Sequence, residues 1–130
     1  MKRKLLVYIA LCLLTLTACT HPSIGKLIGS DRDEHGCIGS AGYVWSYAMH
    51  DCVRLWEAGI RMDSGPGQVF LIFSEDSTFA EIFPPDGESV ICKRKKDLPA
   101  WYTKQGEKAV YYNKGMLRAS INGYTYCVTP

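Results

Sequence analysis

The chain has 130 residues, which is enough for one domain and too few for two of ordinary size. Its basic residues include Lys2, Arg3 and Lys4, and without these three, 12 basic residues face 13 acidic ones for a net charge of −1. This balance excludes the strongly basic class of nucleic-acid-binding chains, and we expect no nucleic-acid partner.

The first 18 residues have the pattern of a secretion signal. A positive start precedes an apolar run at residues 5–18, whose length suits a signal peptide rather than a membrane span. The run ends in "LTAC", residues 16–19, which resembles the lipobox of bacterial lipoproteins. The resemblance implies that residues 1–18 are cleaved and that Cys19 is acylated, so that the chain is anchored in the bacterial cell envelope. Thr20 stands where inner-membrane lipoproteins often carry Asp, so we expect the outer membrane.

Residues 19–36 are interpreted as the lipidated cysteine and a tether, because glycine, proline and mixed charges occur there without a sustained period. A single globular domain is expected at residues 37–130. The tether ends in "DRDEHG", residues 31–36, which is similar to the start of a calcium loop. Its fifth and twelfth positions hold His35 and Gly42 instead of oxygen ligands, so we expect no metal site.

Four cysteines remain once Cys12 leaves with the signal and Cys19 carries lipid. In an exported domain, four cysteines indicate two disulfides, for which three connectivities are open. We predict Cys37–Cys52 and Cys92–Cys127, because each pair lies in one local block of composition.

Residues 43–60 carry two competing patterns. The segments "GYVW", residues 42–45, and "CVRLW", residues 52–56, are rich in strand-forming residues. Against this, six residues follow helical spacing: Trp45, Ala48, Met49, Cys52, Val53 and Trp56. We predict a short helix or helical turn at residues 46–51 with extended chain on either side. The aromatic residues of this segment either fill the core or form an exposed platform.

The remaining chain alternates short strand patterns with turns, and the last two patterns are joined by a tight turn at Asn122 and Gly123. The strand patterns are residues 69–73, 78–83, 90–94, 108–113, 114–122 and 123–129. The predicted fold class is mainly β to α+β. We expect a small antiparallel meander or barrel-like sheet of about six strands with one short helical segment, closed by two disulfides.

No sequence motif of catalysis, nucleotide binding or cofactor binding is present, so we expect neither an enzyme nor a cofactor. One positive patch is formed by Lys93, Arg94, Lys95 and Lys96. It is either a solvated loop or a contact for an acidic partner, anionic lipid headgroups or envelope glycans.

Two further resemblances concern longer segments. Residues 33–61 are similar to a signature of small uncharacterised bacterial lipoproteins, which implies no activity. Residues 79–88, "FAEIFPPDGE", and 101–109, "WYTKQGEKA", resemble membrane-bound inhibitors of c-type lysozyme, which are small β-barrel lipoproteins. That resemblance implies that Lys104 meets acidic groups of the enzyme and that Cys127 is a disulfide cysteine, whereas the serine-rich loop of the family has no counterpart.

The sequence therefore predicts a monomeric, lipid-anchored, non-catalytic binding module whose partner is a protein or an envelope glycan. The alternative is an inhibitor of a secreted hydrolase such as c-type lysozyme. The candidate partner-binding residues are Lys93, Arg94, Lys95, Lys96 and Lys104.

Overall fold

A computed structural model describes residues 31–129, so the predicted signal peptide, Cys19 and most of the tether lie outside the described residues. This part of the chain contains a 3₁₀ turn, Gly39–Ala41, one short α-helix and ten strands. The helix is α1 (Leu55–Ala58). The strands are β1 (Val44–Ser46), β2 (Asp51–Val53), β3 (Ile60–Ser64), β4 (Gly67–Phe73), β5 (Phe79–Phe83), β6 (Val90–Arg94), β7 (Ala100–Thr103), β8 (Lys108–Asn113), β9 (Met116–Ile121) and β10 (Tyr124–Val128).

Strands β3 to β10 form a closed antiparallel barrel of eight strands, which confirms the predicted mainly β, barrel-like fold. Each strand pairs with the next in the chain, and β10 closes the barrel by pairing with β3 through Cys127–Asp63 and Val128–Met62. Closure leaves no barrel edge unpaired, so another chain can contact the barrel only through its side chains and loops.

The barrel interior is filled by apolar side chains from every strand. Period-two alternation sends one set inward, except at the adjacent residues Ala109 and Val110, which are both buried where the pairing of β7 with β8 shifts register. The buried cluster comprises Met62, Val69, Leu71, Ala80, Ile82, Cys92, Trp101, Ala109, Val110, Ala119, Ile121 and Tyr126. Phe73 packs against Trp101 with ring centroids 4.9 Å apart, and the Trp101 indole donates to the Ser77 carbonyl at 2.9 Å. An eight-stranded barrel is just wide enough for side chains to fill, and no channel is required.

Strands β1 and β2 form a separate hairpin that packs on the outside of the barrel. Together with α1, the hairpin covers the outward residues of β4 and β5 in a second apolar cluster: Val44, Ala48, Val53, Leu55, Phe70, Ile72, Phe79 and Phe83. At the centre of this contact Glu81 is fully buried and accepts hydrogen bonds from Ser46 Oγ at 2.7 Å and from the Ala48 amide at 3.1 Å. Ser89 Oγ donates to the other carboxylate oxygen at 2.6 Å. The hairpin is therefore held to the wall by both apolar packing and one buried carboxylate.

The prediction of a short helix at residues 46–51 is wrong, whereas the extended chain predicted on either side is confirmed as β1 and β2. Residues 47–50 form the turn of the β1–β2 hairpin, with Trp45 opposite Cys52, and the helix lies later, at α1. Because Glu81 holds Ser46 and the Ala48 amide from a distant strand, tertiary contacts outweigh the local helical spacing. The helix ends where the Gly59 amide donates to the Leu55 carbonyl at 2.8 Å.

The aromatic residues of this segment pack on the outside of the barrel rather than inside it. Tyr43 lies beneath the Arg54 guanidinium, with 4.6 Å between Arg54 Cζ and the ring centroid. Trp56 covers Gly42 and is 61 % exposed, and Tyr47 is 50 % exposed.

The Cys37–Cys52 disulfide is present, as predicted, and ties the segment before β1 to β2. The predicted Cys92–Cys127 bridge is wrong, because both cysteines are free thiols. Their strands, β6 and β10, are four steps apart in either direction around an eight-stranded barrel. Cys92 points into the core, whereas Cys127 follows the inward Tyr126 and therefore faces outward, where its sulfur accepts from Arg118 at 3.3 Å.

Candidate functional site

A groove of about 540 Å³ runs along the outer face of β6 and β7, a part of the barrel wall to which the β1–β2 hairpin contributes no residue. We call it the basic groove. It is lined by Ile91, Lys93, Arg94, Lys95, Tyr102, Thr103, Lys104 and Gly106. Its volume lies within the range of about 300 to 1,000 Å³ that is usual for ligand sites.

Strand register explains why these side chains meet. Because Val90 and Cys92 point into the core, the alternate residues Ile91 and Lys93 of β6 face outward. Lys93 lies opposite Tyr102 in the antiparallel pairing of β6 with β7. The groove therefore combines a floor of partly buried Ile91 and Tyr102 with positive charge along its sides.

The structure brings together four of the five candidate binding residues that the sequence predicts. Lys93 and Arg94 end β6, Lys95 follows the strand, and Lys104 comes from the turn after β7. Lys96 lies in the β6–β7 turn and does not line the groove. Lys104 is nine residues or more from the other three groove cations in sequence, and the antiparallel register makes it their neighbour.

Aromatic rings contact three of the cations, and Lys93 Nζ lies 5.9 Å from the ring centroid of Phe79. Lys95 Nζ lies 4.1 Å from the ring centroid of Tyr102, and Arg94 Cζ lies 5.4 Å from that of Trp101. Such contacts are each worth about 0.5 to 1 kcal/mol at exposed sites, and they orient the cation without neutralising it.

Lys104 projects from a turn that is fixed by hydrogen bonds. The Thr103 amide donates to the Glu107 carbonyl at 2.8 Å, and the Gly106 amide donates to the Thr103 carbonyl at 2.9 Å. Thr103 Oγ1 also accepts from the Glu107 amide at 3.2 Å. Gly106 has a φ of +89°, a conformation that glycine adopts without strain. The backbone that carries Lys104 is thus ordered before any ligand arrives.

The charges of the groove are free to meet a ligand. Within residues 31–129 the ion pairs shorter than 4 Å are Glu34–His35, Arg54–Glu57 and Arg61–Asp63, and none of them involves a groove residue. Unpaired cations in a recess create a positive potential that attracts carboxylates or phosphates. The groove offers cations and apolar surface, and none of its residues is a histidine, cysteine or acid. Its arrangement suits binding of an anion.

The acidic turn before Cys37 has a structural role. Asp31 accepts a hydrogen bond from the Ser40 hydroxyl, which lowers the pKa of its carboxyl group. Asp33 accepts from the amides of His35 and Cys37, both at 2.9 Å. Among the described residues, no three His, Cys, Asp or Glu side chains come close enough together to hold a metal ion.

Comparison with known proteins identifies no relative: no family model, no curated protein and no solved structure matches the chain. Within residues 31–129, no helix has both the length and the apolar character needed to cross a membrane.

Four groove residues were not among the predicted site residues: Ile91, Tyr102, Thr103 and Gly106. The signal for Ile91 was present in the sequence, since alternation along residues 90–94 sends Ile91 to the same face as Lys93. Tyr102 was not foreseeable, because residues 100–103 were not predicted to be a strand.

Proposed function

We propose that the chain is a lipid-anchored, non-catalytic binding module of the bacterial cell envelope, in which the basic groove binds an acidic segment of a partner protein. One observation carries the binding claim: four cations converge on one preformed recess, and within residues 31–129 no carboxylate pairs with them. The half-buried floor of Ile91 and Tyr102 supports a protein partner over a simple ion, because it offers apolar contact beside the charges.

The anchor is the part of the proposal that rests on sequence. Cys19 lies outside the described residues, and its support is the "LTAC" segment after an apolar run. The Cys19→Ala variant should lose acylation and leave the membrane fraction, as followed by mass spectrometry and fractionation. A variant that remains lipidated would contradict the anchor at Cys19 but would not affect the proposal that the basic groove binds a partner.

The groove is tested in the cell with a photo-crosslinking amino acid at position 104. A matched crosslinker at position 114, an exposed lysine in the turn between β8 and β9, serves as the control. We expect an acidic envelope protein to be captured from position 104 only, and the product to disappear when Lys93 and Lys95 are changed to Glu. Equal capture from position 114, or a product that survives the charge reversals, would contradict the proposal.

A second candidate function is inhibition of a secreted hydrolase of the c-type lysozyme kind. The observation that favours it is the position of Lys104, which projects from a fixed turn at the rim of the groove, as an inhibitory probe requires. The mature protein, extracted in detergent, should then inhibit c-type lysozyme, and Lys104→Ala should weaken inhibition by about tenfold, or about 1.4 kcal/mol. Full lysozyme activity at micromolar excess of the protein would eliminate this candidate and leave the binding module intact.

A further inference from the structure

A second recess lies away from the basic groove and shares no residue with it. It has a volume of about 390 Å³, and we call it the acidic pocket. Three segments form it: the turn before Cys37, strand β1 with the residue after it, and the end of β5 with the loop to β6. The lining residues are Asp33, Glu34, His35, Val44, Trp45, Tyr47, Phe83, Gly87, Glu88 and Ser89.

Three aromatic rings line one side of this pocket, two of them stacked and the third perpendicular to that pair. His35 stacks on Trp45 with centroids 4.5 Å apart and planes 11° apart. Tyr47 stands nearly perpendicular to both, 5.6 Å from His35 and 6.4 Å from Trp45. Perpendicular ring planes present electron-rich faces in more than one direction, which is the arrangement that surrounds an organic cation.

The walls of the pocket are tied together before any ligand binds. The Asp33 amide donates to the Cys37 carbonyl at 3.0 Å, and the Cys37–Cys52 disulfide joins this turn to β2, directly opposite Trp45. On the far side, Ser89 donates to the buried carboxylate of Glu81, which also holds the hairpin. A recess fixed in this way loses little conformational entropy when a ligand enters.

The charge of the pocket has one sign. Three of its lining residues are acids, Asp33, Glu34 and Glu88, and none is lysine or arginine. Among the described residues, the basic group within 4 Å of these acids is the imidazole of His35, 3.6 Å from Glu34. The pocket therefore repels anions, and its carboxylates offer ion pairs to a cation.

We propose that the acidic pocket binds a small organic cation, namely an ammonium or guanidinium group on an aliphatic stem. The rings and carboxylates meet the charged end, and the apolar side chains of Val44 and Phe83 meet the stem. A free diamine is the source that fits best, because the volume is that of a small-molecule site rather than of an extended peptide surface. The proposal does not depend on the basic groove.

The test is a titration of the mature protein with putrescine and agmatine at low ionic strength, by calorimetry and tryptophan fluorescence. Saturable binding is expected, with 1,4-butanediol and N-acetylglucosamine as neutral probes that do not bind. The Glu34→Gln/Glu88→Gln variant should bind both amines at least about tenfold more weakly, whereas Glu107→Gln, a matched change in the β7–β8 turn, should alter binding less than about twofold. The fluorescence change should vanish in Trp45→Phe and persist in Trp56→Phe.

Three outcomes would overturn the proposal. The first is the absence of saturable amine binding, and the second is amine binding that the double Gln variant leaves unchanged. The third is binding of Nα-acetyl-lysine amide, which keeps its side-chain ammonium, in the absence of diamine binding. This result would assign the pocket to a lysine side chain of a peptide. Because Glu34 and Glu88 are exposed, the double Gln variant should fold, and a thermal melt equal to that of the unaltered protein checks this.

Discussion

The barrel has two contrasting walls, one covered and one bare. On β5 the outward residues Phe79 and Phe83 pack beneath the β1–β2 hairpin, and Glu81 is buried between them. On β6 and β7 the outward residues Lys93 and Tyr102 form an open groove. Both walls follow the same inward–outward alternation. The comparison shows that, in a barrel without free edges, the role of each wall depends on what covers it. The wall under the hairpin serves stability, whereas the uncovered wall of β6 and β7 is accessible to a ligand.

The largest expected effect on stability comes from removing the disulfide that fixes the β1–β2 hairpin. The Cys37→Ser/Cys52→Ser variant removes a link across 15 residues and should lower the free energy of unfolding by about 3 kcal/mol, as measured by urea denaturation. Cys127→Ser, a change at a partly exposed free thiol, is the matched control and should cost far less. A double variant that is no less stable than this control would mean that the hairpin does not depend on the disulfide.

Glu81→Ala should have the next largest effect. The substitution leaves the Ala48 amide and the hydroxyls of Ser46 and Ser89 without their acceptor at a buried contact. We expect a loss of about 2 kcal/mol in the free energy of unfolding. Glu107→Ala, at an exposed acid, should change it by less than about 0.5 kcal/mol. Equal effects at the two positions would refute the role of Glu81 in holding the hairpin.

The two free thiols should differ in reactivity because they face opposite sides of the wall. Burial raises the pKa of the Cys92 thiol to about 11, so at pH 8 almost none of it is the reactive thiolate. Iodoacetamide should therefore label Cys127 in the folded protein, and Cys92 only after unfolding, as read by peptide mapping. Detection of a Cys92–Cys127 peptide under non-reducing conditions would contradict the barrel topology.

The smallest effect on stability is expected at the bare wall. Lys93→Ala and Lys95→Ala should each change the free energy of unfolding by less than about 1 kcal/mol, because both side chains are exposed, neither forms an ion pair within residues 31–129, and each loses one exposed cation–π contact. A loss above about 1 kcal/mol at either position would mean that these cations serve the fold rather than a ligand.

Local patterns in the sequence were sufficient for most of the barrel. A continuous apolar run predicted β4, and strand-forming patterns between turn residues predicted β5, β6, β8, β9 and β10. The predicted Asn122–Gly123 turn joins β9 to β10. Strand β7 was missed, since its four residues follow a charged, proline-containing turn and show too few alternations to be recognised.

The errors arose where distant contacts decide the structure. The spacing of Trp45, Ala48 and Cys52 fits a helix, yet Glu81 and the Cys37 disulfide hold the same residues as a hairpin. The second disulfide was predicted because Cys92 and Cys127 lie in one block of similar composition. The strand order instead places the two cysteines on opposite sides of the barrel.

The basic groove and the acidic pocket also differ in how far the sequence could predict them. The cations of the basic groove could be named from the sequence, because three of them are consecutive. The acidic pocket could not be, because its walls come from three segments between residues 33 and 89 that only the folded hairpin brings together.

The central claim, that the bare wall binds an acidic partner, is tested most directly by the affinity of the mature protein for an octaglutamate peptide. Fluorescence anisotropy should show saturable binding that weakens with added salt, because the contact is electrostatic. Lys93→Glu/Lys104→Glu should weaken it by at least about tenfold, whereas Lys114→Asn, which removes a charge from the exposed β8–β9 turn, should change it less than about twofold. Equal losses in the two variants, or binding that the double reversal leaves intact, would contradict the account.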